Sequence, residues 1–567
     1  MKKINTLFLA SLFAITAKAQ SPTFTWAKGI GNSANDLSKS IILDQSGNVF
    51  HTGIFNGTVD FDPGAGTFNM TAVTVGAGSG YVSKLDPSGN FVWAVAIPGP
   101  SEAVATDASG NVYVAGTFTN TQDFDPGAGV LNFTTTSSNY SDAYVTKFDN
   151  NGNFIWAKQI GGIDQETIES ITTDAAGDVA LCGSFANTVD FDPGAATFNL
   201  SSSGSNDGFA MKLTSAGNFV WAVKFGSSFS GETSADIVTD ASGNVFVSGA
   251  YSGTVDFDPS TAIANMTSVG GTDAYIVKLD GTGNYQWAKG FGGFSNDDGY
   301  ALAKDASNNL YVGGTFAGTV DFDPSSSTSF TVASNGTSAD AYISKFDANG
   351  NFIFVRTIGG TSLDKCKDLQ VAPSGNIFYV GYYSNTVDFD PSSSTTFTMT
   401  AAGSQDSFAS MLDGSGNFIW AGGLSPWAYD YMEGVAINSN NDIYISGSYL
   451  LTTDFDMGAG TYTLSGNGGN DIFVTKLATS AAGVKEIVSS SVNVSVYPNP
   501  STGSFNFKAS SAFSSVKVYN EIGELISNTE MEGSATTIDL NNFPKGFYFY
   551  QIINKNEIIK TGKLIIQ

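Results

Sequence analysis

Paired aspartates are the residues of this sequence whose type and spacing most plainly allow chemistry. The pattern Asp-Phe-Asp occurs seven times, with the two acids at Asp60 and Asp62, Asp123 and Asp125, Asp190 and Asp192, Asp256 and Asp258, Asp321 and Asp323, Asp388 and Asp390, and Asp454 and Asp456. In an extended segment, residues two apart point to the same side and lie about 6.6 Å apart along the strand. Paired carboxylates are ligands for hard cations, so Ca²⁺ is the candidate cofactor of these segments.

Two interpretations of the pairs stay open. Calcium is favoured because both acids occur in every copy and no Lys or Arg lies within the segments to offset their repulsion. Two carboxylates are too few for a shell of about six to eight oxygens, so carbonyls, water or a further acid would have to complete it. Acids in the neighbouring connections are Asp36, Asp164 and Asp297. The alternative is a solvated hairpin, in which the first Asp faces water, the second caps the turn and Phe packs beneath.

Residues for other chemistries are scarce. His51 is the only histidine, so one chain cannot assemble a Ser-His-Asp triad or a multi-histidine metal site. Aligned second strands place His51 where other repeats have Val, Leu, Ile or Tyr, which predicts a packing role. Cys182 and Cys366 lie three repeats apart, and we predict two free thiols. An acid/base pair among the many carboxylates stays open, and with it a hydrolase or lyase.

Strands must position all of these residues. The Asp-Phe-Asp segments recur at intervals of 63, 67, 66, 65, 67 and 66 residues, which indicates one structural unit repeated seven times. Each unit contains four short runs of alternating hydrophobicity separated by Gly-, Asn- and Asp-rich turns. Four antiparallel strands per repeat without helices are typical of a β-propeller, so the sequence predicts an all-β fold with a seven-bladed propeller.

The two ends of the repeat array complement each other. The last repeat stops after residues 471–477 without a fourth strand, and residues 23–30 match the fourth-strand segment at 153–160. We therefore expect the N-terminal strand to complete the seventh blade and close the ring, which removes open sheet edges. An aromatic residue recurs in the fourth strand, as Trp93, Trp156, Trp221, Trp287, Phe354 and Trp420. Because it recurs in every blade, we predict blade packing rather than a sugar-binding platform.

Two recurrent stretches resemble a known family. The runs "DASGNVYVAGTF" at 107–118 and "KFDNNGNFIWA" at 147–157 are similar to the seven-bladed β-propeller repeat proteins called SBBP. The resemblance covers about residues 21–480. It implies the fold and hardly constrains function, because propellers host many unrelated activities.

The ends of the chain predict export. Residues 1–19 have the charged, apolar and small-residue regions of a secretory signal peptide. The propeller is predicted at 20–480, a linker at 481–493 and a small antiparallel β-sandwich at 494–567. Its runs "VYPNPSTGSF", "KVYNEIGEL" and "PKGFY" resemble the type A C-terminal sorting domain of the type IX secretion system. That resemblance implies passage across an outer membrane by the type IX machinery, tail removal, and release or surface attachment.

The net charge of the chain limits the classes of partner that it can bind. The formal net charge is -27, and residues 21–479 hold 15 basic against 45 acidic residues. This balance argues against nucleic acid or an anionic membrane as a partner. After residue 20 no apolar run is long enough to span a membrane. The sequence favours a secreted or cell-surface, non-catalytic binding or scaffold module for an unknown extracellular protein or glycan. An extracellular hydrolase or lyase on glycans or peptides, and a structural surface-layer component, are the alternatives.

Overall fold

The computed structural model describes residues 21–74, 78–228, 231–424, 430–479, 494–520, 525–554 and 557–567. The predicted signal peptide and linker lie outside the described residues. The chain divides into two compact units, Met1–Ser480 and Ala481–Gln567. The secondary structure of the described residues is entirely β, which confirms the all-β part of the predicted fold class. Among the same residues there is no helix that could cross a membrane.

The strands of the first unit are numbered in chain order. Those preceding and within the first two repeats are β1 (Thr23–Ile30), β2 (Leu37–Leu43), β3 (Val49–Phe55), β4 (Thr58–Asp60), β5 (Asn69–Thr71), β6 (Ser79–Leu85), β7 (Phe91–Ile97), β8 (Ser101–Thr106), β9 (Val112–Phe118), β10 (Thr121–Asp123), β11 (Asn132–Thr134), β12 (Asp142–Phe148) and β13 (Phe154–Gly162). Those of the third and fourth repeats are β14 (Glu166–Thr173), β15 (Val179–Phe185), β16 (Thr188–Asp190), β17 (Asn199–Ser201), β18 (Asp207–Leu213), β19 (Phe219–Phe225), β20 (Thr233–Thr239), β21 (Val245–Tyr251), β22 (Thr254–Asp256), β23 (Asn265–Thr267), β24 (Asp273–Leu279) and β25 (Tyr285–Gly293). Those of the last three repeats are β26 (Asp298–Lys304), β27 (Leu310–Phe316), β28 (Thr319–Asp321), β29 (Thr331–Ala333), β30 (Asp340–Phe346), β31 (Phe352–Ile358), β32 (Lys365–Val371), β33 (Ile377–Tyr383), β34 (Thr386–Asp388), β35 (Thr398–Thr400), β36 (Asp406–Leu412), β37 (Phe418–Gly423), β38 (Tyr431–Ile437), β39 (Ile443–Tyr449), β40 (Thr453–Asp454), β41 (Thr463–Leu464) and β42 (Asp471–Ala478).

Each repeat forms one antiparallel sheet of four main strands, and the first is ordered β2-β3-β6-β7. The second and third strands bury nearly every residue because both of their faces are covered by neighbouring sheets. The seventh sheet is ordered β1-β42-β39-β38, so the N-terminal strand supplies its fourth member. The register joins Thr23 to Ala478 and Ile30 to Ile472.

The first strands of the sheets contact one another in sequence. Strand β2 contacts β8, β8 contacts β14, β14 contacts β20, β20 contacts β26, β26 contacts β32, and β32 contacts β38. Strand β38 in turn contacts β2. Every sheet therefore has two neighbouring sheets within the first unit.

The recurrent aromatic residue of the fourth strand contacts the next sheet, as the sequence predicts. The indole N–H of Trp93 donates to the carbonyl of Asn150 (3.0 Å), which lies in the turn between β12 and β13. Phe354 has no such donor. Arg356 replaces it, because its Nε donates to the carbonyl of Gly416 (2.8 Å) while its guanidinium lies 4.7 Å from the Phe354 ring.

The second unit contains five strands, which are β43 (Val494–Tyr497), β44 (Ser504–Tyr519), β45 (Leu525–Asp539), β46 (Gly546–Asn554) and β47 (Glu557–Ile566). The first half of β44 pairs with β43 and the second half with β46, while β45 pairs along both halves. Phe507 of the first half packs against Tyr550 of β46, with ring centroids 4.9 Å apart. The sheet therefore folds over one apolar cluster of its own.

Candidate functional site

The Asp-Phe-Asp segments form the first strand and loop of seven small hairpins. In the third repeat, Asp190 Oδ1 accepts the N–H of Asp192 (3.1 Å) and of Phe198 (2.8 Å), so it joins the two ends of the loop. Asp192 Oδ1 accepts the N–H of Gly194 (2.8 Å) and caps the turn. Phe191 between them is fully buried and packs on Phe209. The loop therefore uses both acids as acceptors for its own backbone.

The same hydrogen bonds occur in all seven hairpins. The first acid accepts two backbone N–H groups at Asp60, Asp123, Asp190, Asp256, Asp321, Asp388 and Asp454. The second acid accepts one at Asp62, Asp125, Asp192, Asp258, Asp323, Asp390 and Asp456. The solvated-hairpin hypothesis placed the first Asp in water, whereas its Oδ1 is committed to the loop backbone. Calcium binding by these pairs stays a prediction.

Within the described ranges, no group of three or more His, Cys, Asp or Glu side chains is placed to hold a metal ion. A cation at the hairpins would therefore take at most two carboxylates and complete its shell with carbonyl groups and water.

His51 and the cysteines are packing residues, as predicted. His51 is fully buried, and its Nδ1 lies 3.2 Å from the hydroxyl of Tyr81. Burial lowers the pKa of His51 to about 3, so the ring is neutral. Cys182 and Cys366 are buried free thiols, and burial raises the pKa of both, which makes them poor nucleophiles.

The first strands of all seven sheets line a cavity of about 240 Å³. Each of these strands contains a β-bulge at the same place, and a bulge re-aims the extra side chain. The residues at the bulges, which line the cavity, are Lys39, Glu102, Glu169, Ala235, Tyr300, Lys367 and Glu433. Sequence reasoning missed this set. Alignment of the first strands would reveal it, because this position varies in charge while the residue before it stays small or apolar.

The cavity breaks the repeat symmetry. Lys39 pairs with Glu102 and Lys367 pairs with Glu433, both at 3.3 Å, and the Lys365 ammonium lies 3.2 Å from the centroid of the Tyr300 ring. Burial lowers the pKa of Lys365 to about 8. The cavity therefore presents both signs of charge at fixed and unequal positions.

Two further acids at the cavity join neighbouring sheets. Asp236 accepts the N–H of Leu302 (2.6 Å), and Asp368 accepts the N–H of Val435 (2.7 Å), each from the following first strand. Burial raises the pKa of Asp236 to about 6 and, with the nearby charge of Asp236, that of Asp368 to about 7.

A groove of about 780 Å³ separates the first and second sheets along the edge of β7. Val95, Ala96 and Pro98 line one side, and Gln122 and Asp125 of the next hairpin line the other. At three other junctions the hairpin pairs with the preceding fourth strand, as at Gly161 with Asp190. Within the described residues no such pairing joins β7 to β10. Proline lacks the N–H that a ladder needs, so Pro98 disfavours pairing here.

One family model matches the chain. The model described as the secretion system C-terminal sorting domain matches residues 495–567, which contain nearly all of the second unit's described strands. This match confirms the coarser prediction that the chain carries a sorting domain of the type IX secretion system. It indicates export to the cell surface or secretion.

The curated relatives match only part of the chain. An uncharacterized WD repeat-containing protein of Acanthamoeba polyphaga mimivirus is 24% identical, and the match covers 40% of this chain and 19% of the relative. The regulatory protein FlaEY of Caulobacter vibrioides is 28% identical, with 39% of this chain and 23% of the relative covered. The chain thus spans less than a quarter of these relatives, and their activities do not transfer to it.

Solved structures with similar arrangements include the RRP9 WD40 repeats, with 8% identity, a TM-score of 0.38, and coverage of 81% of this chain and 99% of that chain. PorZ, a surface component of the type IX secretion system of Porphyromonas gingivalis, has 13% identity and a TM-score of 0.30, with coverage of 93% and 70%. At these scores the likeness carries no information on function.

Proposed function

We propose that this chain is an exported, non-catalytic binding or scaffold protein built on a closed seven-bladed propeller. The propeller is of the SBBP repeat type, and the type A sorting domain at 494–567 delivers it through the type IX machinery. The match of residues 495–567 to a sorting domain is the observation that carries the export half of the proposal. The partner is an extracellular protein or glycan.

Contacts among the sheets support the ring. The first strands contact one another in succession from β2 to β38, and β38 contacts β2. The pairing of β1 with β42 completes the seventh sheet and leaves neither end of the array as a three-stranded remainder. A ring built this way buries the edges that an open array of sheets would expose.

Binding is supported by the places where the repeat is broken. Seven equivalent hairpins cannot direct a partner to one particular blade. The cavity at the bulges is lined by side chains of unequal charge from all seven sheets, whereas the groove beside β7 has a counterpart of about 580 Å³ beside β13. Non-repeated concave surfaces of mixed polarity are where selective contacts to one ligand can form.

The alternatives differ in what they require. An extracellular hydrolase or lyase needs an open acid/base pair, but the acids lining the β7 groove, Asp123 and Asp125, each accept backbone N–H groups through Oδ1. A structural surface-layer component would bind chiefly copies of itself. A glycan array and a pull-down with the mature propeller separate a binding protein from a self-associating one.

Deletion of residues 494–567 tests the export half directly. We expect the truncated propeller to accumulate in the periplasm of the native host, whereas the full chain reaches the surface or the medium. Protease accessibility on intact cells measures the difference. The matched control is a reporter fusion that is not exported and carries a deletion of the same length. It shows whether the deletion by itself changes the level of expression. Surface display of the truncated chain at the normal level would contradict the proposal.

A further inference from the structure

A second set of acid pairs lies at the junctions between consecutive sheets. We call them the junction carboxylates. One member begins the third strand of a sheet, and the other lies before or at the first strand of the next sheet. The pairs are Asp142 with Glu166, Asp207 with Glu232, Asp273 with Asp297, Asp340 with Asp364, Asp406 with Asp430, and Asp471 with Asp36, and all twelve side chains are buried.

Two consecutive glycines contact the two members of a pair. At the junction of the fourth and fifth sheets, a Cβ on Gly292 would lie 2.4 Å from the carboxylate carbon of Asp273. The next residue, Gly293, donates its N–H to Asp297 (2.7 Å). The same arrangement holds for Gly359 and Gly360 between Asp340 and Asp364. The two acids therefore flank consecutive glycines, and the first glycine is required because a carboxylate fills the space of its side chain.

At four junctions within the described ranges the acid of the third strand has an oxygen without a donor, and Glu232 Oε2 is unpartnered at a fifth. Asp273 Oδ2 accepts the N–H of Val269 (3.0 Å), while its Oδ1 has no hydrogen-bond partner among the described residues. The same Oδ1 is unpartnered at Asp142, Asp340 and Asp471. A buried charged oxygen without a hydrogen-bond partner is costly, so its recurrence at the same acid of four junctions favours a cation as its partner.

At a fifth junction the chain supplies a positive charge itself, while Asp207 Oδ1 accepts the N–H of Gly204 (3.4 Å). Lys224 lies on β19, and its Nζ lies 3.2 Å from Asp207 Oδ2. Lys224 pairs with Phe209, two residues after Asp207. The residues at the same register position in the four junctions with an unpartnered oxygen are Gly29, Gln159, Gly290 and Thr357, none of them cationic.

One junction lacks the acids altogether. Between the first and second sheets, Ser79 stands where the third-strand Asp is found, Pro98 replaces the first glycine, and Gly99 replaces the second acid. Ser79 accepts the N–H of Thr74 (2.8 Å), and Thr74 accepts the N–H of Gly99 (3.2 Å), so neutral groups satisfy this junction. Both acids and the glycine are thus absent together, which is expected if the pair acts as one unit.

We propose that each of the four junctions with an unpartnered Oδ1 binds one hard divalent cation between its two carboxylates. Ca²⁺ is the cation of this class that we expect. The Lys224 ammonium, through its contact with Asp207 Oδ2, supplies the positive charge at the junction of the third and fourth sheets. Two carboxylates supply part of the shell, and backbone carbonyls and water supply the rest. Ca²⁺ sites of this kind in extracellular modules bind in the range of about 10⁻⁴ to 10⁻³ M.

Protons compete for the same sites. Burial raises the pKa of Asp273 to about 6 and the pKa of Asp297 to about 7, and the charge of Asp273 adds to the shift of Asp297. Asp298 and the phenols of Tyr251 and Tyr342 also face this pair, and no Lys or Arg forms an ion pair with either acid in the described residues. Cation binding should therefore strengthen as pH rises from about 6 to 8, because the competing protons leave.

A reciprocal exchange of two residues tests the proposal on the full chain. Bound calcium is counted by equilibrium dialysis in millimolar Ca²⁺ at pH 8, where about four ions per chain are expected. Thr357→Lys places an ammonium beside Asp340 as Lys224 does beside Asp207, and it should remove one ion. Lys224→Thr leaves Asp207 without its ammonium and should add one. Circular dichroism checks that both variants fold.

Neutralisation of one pair gives a second measurement. Asp340→Asn with Asp364→Asn should also remove one ion, whereas Ser79→Ala, at the junction without acids, should leave the count unchanged. Equal counts in the wild type and in both exchange variants would overturn the proposal. So would loss of one ion on Asp190→Asn with Asp192→Asn, because a counted ion would then belong to a hairpin.

Discussion

The hairpin carboxylates and the junction carboxylates differ in how their charge is accommodated. Each Asp-Phe-Asp acid accepts backbone N–H groups within nine residues of itself, as Asp190 accepts the N–H of Asp192 and Phe198. Each junction pair joins two sheets and is buried, and in four pairs the acid of the third strand keeps an oxygen without a donor. The hairpin acids thus stabilise local structure, whereas the junction acids place unbalanced charge between sheets. A conspicuous contiguous motif is therefore a weaker indicator of a ligand than an inconspicuous pair assembled by folding.

The apolar centre of the hairpin should show the largest effect. Phe191 is fully buried against Phe185 and Phe209, whereas Phe198 in the same hairpin is 37% exposed. Phe191→Ala should lower the free energy of unfolding of the propeller by about 3–5 kcal/mol, because it leaves a cavity. Urea denaturation measures this change, with Phe198→Ala as the matched control. A similar loss for both variants would contradict the view that the hairpin is held by its buried ring.

The junctions should make stability depend on pH. The pKa of Asp273 rises to about 6 and that of Asp297 to about 7, above the usual value of about 3.8 in the unfolded chain. The folded state therefore binds more protons than the unfolded state. The stabilisation that these two acids contribute is fully present below pH 4 and is lost as pH rises through 6 and 7. At about 1.4 kcal/mol per pKa unit, the loss from this junction between pH 5 and 8 is about 2–4 kcal/mol without calcium.

The double variant Asp273→Asn with Asp297→Asn isolates that loss. Thermal melts at pH 5 and pH 8 in a calcium chelator should show a smaller difference for the variant than for the wild type. The variant Asp190→Asn with Asp192→Asn is the control, and it should keep the wild-type pH dependence. If both variants showed the wild-type slope, the junction acids would not be the titrating groups.

The hairpin acids should show the smallest effect. Asp190→Asn with Asp192→Asn keeps a carbonyl oxygen as acceptor in each side chain, so the free energy of unfolding should fall by about 1 kcal/mol or less. The calcium prediction for the hairpins adds a further expectation. Millimolar Ca²⁺ should raise the melting temperature, and this variant should reduce the gain if the hairpins contribute to binding. A gain that is unchanged would leave backbone capping as the role of these two acids.

Much of the first unit follows from local sequence. The period of the Asp-Phe-Asp segments and the alternation within each repeat predict the strands, and the match of residues 23–30 to a fourth strand anticipates the pairing of β1 with β42. The packing roles of His51 and the cysteines follow from alignment of the repeats. These predictions share one cause, because equivalent positions can be compared across seven repeats of the same unit.

The junctions could not be predicted in the same way. Asp273 recurs at the start of the third strand and Asp297 lies in a connection, but the two are 24 residues apart and the sequence does not show that they meet. Their proximity depends on how one sheet packs on the next, which is a property of the whole array. The bulges that aim Lys39 and Glu433 into one cavity depend similarly on register shifts that alternation alone does not encode.

The pairing of β1 with β42 also determines how the seventh sheet responds to force. Thr23 lies opposite Ala478, so the two ends of the repeat array lie side by side at the same end of one antiparallel ladder. Tension between these ends loads the hydrogen bonds one after another, beginning with this pair, rather than all of them in parallel. The seventh sheet would therefore peel open at low load while the other six sheets carried none, and a tether at residue 478 alone would leave the ring unloaded.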